Sequence, residues 1–167
     1  MAYPTSTISC HYTNTLFNGT ATPDFRYLVS SFGPYGYELD LTQLSDEKKA
    51  ELNRYTGKYR EIANFTLDCD LYRLIAPKDN RFCAYIQVTK DKKKALFTFI
   101  QFASCPLYSD FVVKLQGLDE NTVYENMMTG RKLTGGAWMN VGLRIPRLLN
   151  ERSGSGVQYV FRATQDK

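Results

Sequence analysis

A short strand that leads directly into a long charged helix is the feature that most constrains this chain. Over residues 37–41, apolar and acidic side chains alternate with the two-residue period of a strand. Ser45 then opens a helix, because a serine N-cap satisfies a backbone N–H of the first turn and the acidic residues behind it suit the helix dipole. A strand followed at once by a helix is half of a βαβ unit, which is built on parallel strands.

Two such strand–helix units account for residues 1 to about 63. Each predicted strand precedes a predicted helix, and the four segments are 7–12, 23–32, 37–41 and 45–63. The second helix carries one apolar stripe at helical spacing, made of Leu52, Tyr55, Tyr59 and Ile62. Gly57 lies in the middle of that helix, where glycine is unfavourable, so it predicts close packing or a small bend.

The period changes from helical to strand-like near residue 64. Candidate strands follow at 71–75, 82–89, 95–102, 111–116, 123–126, 138–143 and 157–163. The lysine-rich run at 90–94 is interpreted as the solvated tip of a hairpin. Several short strands separated by turn signals predict an antiparallel β-sandwich over residues 64–167, with a domain boundary near 63–68. The predicted fold class is therefore α+β.

Composition fits a folded domain and narrows the range of partners. Hydrophobic residues make up 43% of the chain and aromatic residues 14%, which is more than a disordered chain contains. The net charge of +4 comes from interspersed basic and acidic residues, so no nucleic-acid partner is expected. The chain shows neither a signal peptide nor an apolar stretch near 20 residues, and we expect a cytoplasmic protein without a membrane partner.

The four cysteines have no metal-binding spacing. Wide intervals separate Cys10, Cys69, Cys83 and Cys105, and no C-x-x-C pair occurs. We interpret them as reduced thiols and expect no metal site.

Several segments of the chain resemble one known family in both content and order. These are Tyr3–Ile8, Gly36–Leu41, Tyr72–Pro77, Gly117–Asp119 and Met139–Leu143. They occur in the order found in family 36 of the glycoside hydrolases, the bacterial α-galactosidases that carry a C-terminal β-sandwich. Gly36–Leu41 looks like the last barrel strand of that family, and the resemblance covers nearly the whole chain.

The resemblance implies that residues 1–63 are the last two βα units of a (β/α)₈ barrel and residues 64–167 a C-terminal β-sandwich. Such a barrel takes about 250 residues and eight strands, so the rest of the barrel is an expected partner. In the family both catalytic aspartates precede the segment that matches Tyr3–Pro4. We therefore expect no catalytic residue in this chain and no activity from it alone.

The resemblance also implies the chemistry of the complete enzyme. It would hydrolyse terminal α-galactosides such as raffinose-type sugars with retention, through a covalent galactosyl intermediate and without a cofactor or metal. Family members are often homo-oligomers, so a homo-oligomer is an expected assembly.

Polar residues at the ends of the two predicted barrel strands are candidates for the rim of a sugar pocket. His11 and Asn14 accompany the first strand, and Glu38 and Asp40 accompany the second. Active-site residues of this fold lie at the carboxyl ends of its strands. Glu38 and Asp40 project in parallel from one strand, so they cannot flank a glycosidic bond as acid and base. The alternative is structural, with each group bonded to a neighbouring cation, side chain or backbone.

Aromatic residues near turns are candidates for stacking on a sugar ring. The four are Tyr35, Tyr37, Tyr108 and Trp138. The alternative for each is packing in the core, because aromatic residues are frequent in half-buried strands.

Two further hypotheses remain open at this point. The chain could be a free-standing carbohydrate-binding or interaction module, with residues 1–63 as an appended helical arm. Coverage of the Leu52–Ile62 stripe by the sandwich would favour that module, whereas exposure would favour a severed barrel. The chain could also complement a separate polypeptide that carries the first six barrel strands.

Overall fold

The computed structural model describes residues 4–14, 21–77, 81–103, 111–146 and 154–164. Its N-terminal part contains strand β1 (Cys10–Thr13), helix α1 (Pro23–Ser30), strand β2 (Tyr35–Glu38) and helix α2 (Asp46–Leu67). The remainder contains β3 (Cys69–Ile75), β4 (Phe82–Thr89), β5 (Lys94–Gln101), β6 (Phe111–Val113), β7 (Val123–Asn126), β8 (Lys132–Thr134), α3 (Gly135–Asn140), β9 (Leu143–Ile145) and β10 (Ser155–Ala163). Within these ranges no helix is both long and apolar enough to cross a membrane.

The N-terminal part is a β–α–β–α arrangement with helices on one face of a parallel strand pair. Tyr12 of β1 lies opposite Tyr37 of β2 in a parallel register. Both rings pack against Tyr27 of α1 and Tyr55 of α2 in one cluster. Ser45 caps α2 by accepting a hydrogen bond from the Lys48 N–H at 3.3 Å, which confirms the predicted helix start.

No described residue packs over the opposite face of the same strand pair. Side chains alternate across a strand, so residues next to the buried tyrosines project away from the helices. His11 and Glu38 do so, and their side chains are 49% and 71% exposed. Among the described residues, β1 and β2 form a sheet of only two strands.

A six-stranded antiparallel sheet forms the centre of the rest of the chain. Its strand order is β3-β4-β5-β10-β7-β8, and the β4–β5 pair is the hairpin predicted around the lysine run. One face packs against the β6–β9 pair and α3 around a core that includes Phe97, Trp138 and Phe161. The prediction of an antiparallel sheet is confirmed, and the second layer is much smaller than the first.

The helices α1 and α2 pack on the other face of this sheet. Phe25 of α1 contacts Tyr85 and Ile100, and Ile62 of α2 contacts Leu96. The apolar stripe of α2 is thus divided, with its first half in the tyrosine cluster and its second half on the sheet. The sheet thus covers the second half of the stripe, which favours the free-standing module, while the first half is buried within the N-terminal part.

A buried polar junction fixes the helices to the sheet. The Gln87 amide on β4 donates to Phe32 O at 3.1 Å and to Thr66 O at 3.3 Å. Thr5 donates its hydroxyl to the same Thr66 carbonyl at 2.9 Å. Since Phe32 follows α1 and Thr66 lies in the last turn of α2, one side chain joins both helices to the sheet. The boundary predicted near residue 63 stays a prediction, and α2 itself continues to Leu67.

The strand predicted over 138–143 is wrong. Residues Gly135–Asn140 form α3, because the Thr134 hydroxyl caps the helix by accepting from the Ala137 N–H at 3.2 Å. Gly135 permits this geometry, since a Cβ there would lie 2.0 Å from the Asp119 carbonyl oxygen. Strand pairing resumes only at Leu143.

The strand predicted over 37–41 is displaced toward the N-terminus. Strand β2 begins at Tyr35 and ends at Glu38, and residues Leu41–Gln43 form a 3₁₀ turn. Asp40 caps that turn, because its carboxylate accepts from the Thr42 N–H at 3.0 Å. A short acidic side chain that can bond to nearby backbone competes with strand pairing.

Of the two alternatives predicted for Gly57, close packing is wrong, and the small bend stays a prediction. Gly57 is exposed, and a Cβ built on it would have nothing within 4 Å. Gly57 therefore lowers the stability of α2 through its backbone entropy and gains no packing contact in return.

We expect Gly57→Ala to raise the free energy of unfolding by about 0.5–1 kcal/mol, because alanine restricts the unfolded chain and meets no obstacle here. Urea denaturation followed by circular dichroism measures the change. Gly130→Ala is the matched control, since that site is equally open but has φ +69°, and we expect the control to be destabilised. A loss of stability in Gly57→Ala would contradict the open environment of this site.

Candidate functional site

Strands β1 and β2 bring together two of the predicted rim residues. Glu38 is the last residue of β2, but His11 is the second residue of β1, so the prediction that His11 lies at the carboxyl end of its strand is wrong. His11 Nδ1 lies 3.9 Å from Glu38 Oε2, and His11 Nε2 is hydrogen-bonded to Ser9 Oγ at 2.7 Å. The parallel register explains this proximity, because His11 lies opposite Gly36, two residues before Glu38. Both side chains face water, so the pair contributes little to stability and remains free to meet a ligand or another part of a protein.

Asn14 is held on the helix side of the strand pair. Its Oδ1 accepts a hydrogen bond from Arg26 Nη1 at 2.6 Å, and Arg26 is a buried residue of α1. No hydrogen bond joins Asn14 to His11 or Glu38 among the described residues. The Arg26 contact was not predicted, since nothing in the sequence distinguishes Arg26 from the exposed arginines.

Asp40 is engaged in its own turn. Besides the Thr42 N–H, its carboxylate accepts from the Thr42 hydroxyl at 2.6 Å. These bonds lower the pKa of Asp40, and the hydroxyl contributes most. The carboxylate is thus an ionised turn cap, which agrees with the structural alternative.

Tyr35 and Tyr37 belong to the tyrosine cluster against α1 and α2. Their rings lie 5.3 Å apart at 77°, an edge-to-face contact rather than a coplanar platform. The Tyr37 hydroxyl donates to Leu52 O at 2.8 Å and is bonded to the Thr56 hydroxyl. Tyr35 stacks on Tyr59 with centroids 5.1 Å apart. Both rings therefore pack within this part of the chain.

The prediction that Trp138 stacks on a sugar is wrong. Its side chain is fully buried, and its indole N–H donates to Tyr124 O at 3.1 Å. The ring meets Phe161 edge-to-face at 5.1 Å, and the Arg131 guanidinium lies 5.7 Å from the ring centre, so protein groups cover it. Tyr108 lies outside the described residues.

Several tyrosine and cysteine side chains have raised pKa values because they are buried. Burial raises the pKa of Tyr27, Tyr35 and Tyr55, so these hydroxyls stay protonated. Burial likewise raises the pKa of the Cys83 thiol to about 11. Cys10, Cys69 and Cys83 are free thiols, while Cys105 lies outside the described ranges. No cluster of three or more His, Cys, Asp or Glu side chains occurs among these residues.

Comparison with known proteins places this geometry in a family. Residues 82–161 match the profile described as the glycosyl hydrolase family 36 C-terminal domain. α-Galactosidase Mel36A of Lactobacillus acidophilus is 32% identical over 149 residues, which cover 87% of this chain and 20% of Mel36A. α-Galactosidase AgaA of Geobacillus stearothermophilus is 28% identical over 153 residues, which cover 87% of this chain and 20% of AgaA.

Solved structures show the same fold. The crystal structure of AgaA superposes with a TM-score of 0.88 at 24% identity, over 97% of this chain and 23% of AgaA. The α-galactosidase from Lactobacillus brevis superposes with a TM-score of 0.89 at 21% identity, over 99% of this chain and 23% of that enzyme. The chain spans about a fifth of the length of the curated relatives it matches.

Fold and sequence together define a segment of a glycoside hydrolase. The chain belongs to glycoside hydrolase family 36 and corresponds to the C-terminal segment of its α-galactosidases. This confirms the resemblance stated from the sequence.

Proposed function

We propose that this chain is the C-terminal segment of a retaining α-galactosidase, in which it closes the catalytic barrel and covers it with an antiparallel sheet. The observation that carries the proposal is the parallel β1–β2 pair, which has helices on one face and a polar, uncovered opposite face. Parallel strands are ordinarily buried on both faces. Six further barrel strands would enclose the uncovered face and would pair with the edges of β1 and β2.

In such a barrel the uncovered face becomes the inner wall. Active sites of this fold lie where the strands end at their carboxyl termini. Glu38 ends β2, and the His11 side chain lies beside it on the neighbouring strand. We assign them to the rim of the sugar pocket, as groups that orient the substrate. Asn14 would then hold its loop in place through the hydrogen bond from Arg26, and Asp40 would do so through the hydrogen bond from Thr42.

The proposed chemistry requires two carboxyl groups about 5–5.5 Å apart, one as nucleophile and one as acid and base. Glu38 and Asp40 do not meet that requirement, since Asp40 caps its own turn. The two catalytic carboxylates therefore come from the earlier strands of the complete enzyme. That hydrolysis uses carboxyl groups alone and needs no metal or cofactor.

The proposed substrates are terminal α-galactosides such as raffinose-type sugars. AgaA variants have been crystallised with raffinose and with stachyose. The sequence similarity to AgaA covers 87% of the present chain. The rest of the barrel is the proposed partner, with a homo-oligomer as the assembly and the cytoplasm as the location.

Hydrolysis of p-nitrophenyl α-galactoside by the purified chain tests this division of roles. We expect no turnover above buffer, because the nucleophile and the acid/base lie in the earlier strands. Addition of Mel36A that lacks its last fifth should restore turnover if the two parts assemble. Turnover by the chain alone would contradict the proposal and would return Glu38 and Asp40 to consideration as catalytic residues.

A free-standing carbohydrate-binding module is the second candidate. The contact of Ile62 and Phe65 with Leu96 favours it, because the helices already bury apolar surface on the sheet without any further chain. Calorimetric titration of the chain with galactose and raffinose tests the module, because a free-standing module requires saturable binding by the chain alone. Restoration of turnover with truncated Mel36A separates the two candidates, since only the barrel-closing segment requires it.

A further inference from the structure

A cleft separate from the candidate site opens between the helices and the six-stranded sheet. It has a volume of about 390 Å³ and lies between α1, α2 and β10, within the 300–1,000 Å³ range typical of ligand sites. Apolar groups of Leu28, Ile62 and Val160 line it. Gly156 adds bare backbone, and Met128, which is 72% exposed, adds a flexible side chain. None of these residues is one of the predicted rim residues His11, Asn14, Glu38 and Asp40.

Several polar groups in the cleft have hydrogen-bonding capacity that the described residues do not use. The Gln158 amide donates to Ser31 Oγ at 3.2 Å and to Thr98 Oγ1 at 3.3 Å, which fixes the side chain and leaves Oε1 without a donor. The Tyr27 side chain is nearly buried, yet its hydroxyl bonds to no described group. Glu61 likewise forms no ion pair or hydrogen bond within the described part of the chain.

The charged groups of the cleft do not neutralise one another. Asp24 accepts a hydrogen bond from the Tyr55 hydroxyl at 2.7 Å. The Lys58 ammonium lies 5.3 Å from the centre of the Tyr55 ring and 5.8 Å from that of Tyr27, rather than in an ion pair. The cleft thus presents two carboxylates and one ammonium together with neutral donors and acceptors.

This mixture discriminates between classes of ligand. An anion would meet the carboxylates of Asp24 and Glu61, and a cation would meet Lys58, so either would be repelled at one side. A neutral ligand with many hydroxyls can donate to the carboxylates and to Gln158 while it accepts from Lys58 and Tyr27. The apolar lining suits a ligand with one face of C–H groups. We propose that this cleft is a second saccharide-binding site, which takes a neutral mono- or small oligosaccharide.

The choice of a galactose-containing ligand rests on the proposed function, whereas the preference for a neutral polyhydroxyl ligand rests on the cleft alone. The proposed function and the proposed sugar site in the cleft can therefore be contradicted independently of each other. Activity of a reconstituted enzyme tests the proposed function, and binding by the 167-residue chain tests the cleft.

Amide chemical shifts of the ¹⁵N-labelled chain, titrated with galactose, raffinose and inorganic phosphate, test the site. We expect saturable shifts at residues 58–62 and 156–160 with the two sugars and none there with phosphate. Absence of saturable shifts with both sugars, or a stronger response to phosphate, would overturn the proposal.

Two pairs of variants test whether the shifts report this cleft. Met128→Trp should obstruct it, and Met127→Trp is the matched control, because Met127 is also exposed but does not line the cleft. Glu61→Gln removes a charged acceptor and should weaken sugar binding by about tenfold or more, whereas Glu120→Gln on an exposed loop should not.

The circular dichroism spectrum of each variant serves as the check on folding, since all four substituted side chains are exposed. Equal affinity in Met128→Trp and Met127→Trp would overturn the assignment to the cleft, as would equal affinity in the two glutamine variants.

Discussion

Trp138→Ala should lower the free energy of unfolding by about 3–5 kcal/mol, the range found when a buried aromatic side chain is removed from a core. Trp138 is fully buried beside Phe161 and fills the space between α3 and the large sheet. The substitution leaves a cavity and also leaves the Tyr124 carbonyl without the indole N–H. For a chain of this size the midpoint of thermal unfolding should fall by roughly 6–20 °C.

Circular dichroism is the appropriate measurement for Trp138→Ala, because the variant loses the only tryptophan of the chain. Val141→Ala is the matched control, since Val141 directly follows α3 and is 64% exposed. We expect that control to change stability by less than about 0.5 kcal/mol. A Trp138→Ala variant as stable as the control would contradict the placement of the indole in the core and would restore a surface role.

Gln87→Leu should lower the free energy of unfolding by about 1–3 kcal/mol. Leucine has approximately the volume of glutamine but donates no hydrogen bond. The Phe32 carbonyl therefore loses the Gln87 donor. The Thr66 carbonyl also loses it but still accepts from the Thr5 hydroxyl. These bonds join the ends of α1 and α2 to β4. The helices should therefore be affected more than the core on the far side of the sheet.

Two signals separate those effects. Trp138 fluorescence reports the core between the large sheet and α3, while circular dichroism at 222 nm is dominated by α1 and α2. In Gln87→Leu we expect the helical signal to be lost at a lower urea concentration than the fluorescence signal. The matched control is Gln116→Leu at an exposed site, where both transitions should stay coincident and unchanged. If both signals of Gln87→Leu changed at the same urea concentration as in the unmodified chain, the role of this junction would be contradicted.

Much of the sheet could be predicted from the sequence, because its strands are dense in β-branched and aromatic residues between clear turns. Strands β4 and β7 have the predicted limits, Phe82–Thr89 and Val123–Asn126. The start of α2 was predictable because its signal is local, namely a serine cap and an acidic first turn.

The segment around Trp138 could not be predicted in the same way. Its residues favour a strand, but Thr134 caps a helix and Gly135 lies against the Asp119 carbonyl. That contact joins residues 16 positions apart, so no local pattern reveals it. Strand β8 was missed for a related reason, since three residues are too few to show alternation.

The candidate site was predictable in part. His11 and Glu38 meet because β1 and β2 are parallel neighbours, which follows from the βαβ pattern. The position of His11 within β1, rather than at its carboxyl end, was not predicted. The partner of Asn14 was not predictable, because burial of Arg26 depends on the packing of α1. The cleft of Lys58, Glu61 and Gln158 was also missed, since it joins a helix to a strand about 100 residues later.

A single-chain replacement tests the central claim most directly. In this variant the last fifth of Mel36A is replaced by the present chain, and kcat/KM is measured on p-nitrophenyl α-galactoside. Mel36A without its last fifth is the negative control, and Mel36A that carries the corresponding segment of AgaA is the positive control.

We expect the replaced enzyme to retain activity within about 100-fold of Mel36A, because imperfect positioning of a catalytic site costs on that order. A folded replacement with no more activity than truncated Mel36A, while the AgaA replacement is active, would contradict the claim that this chain closes the barrel of an α-galactosidase.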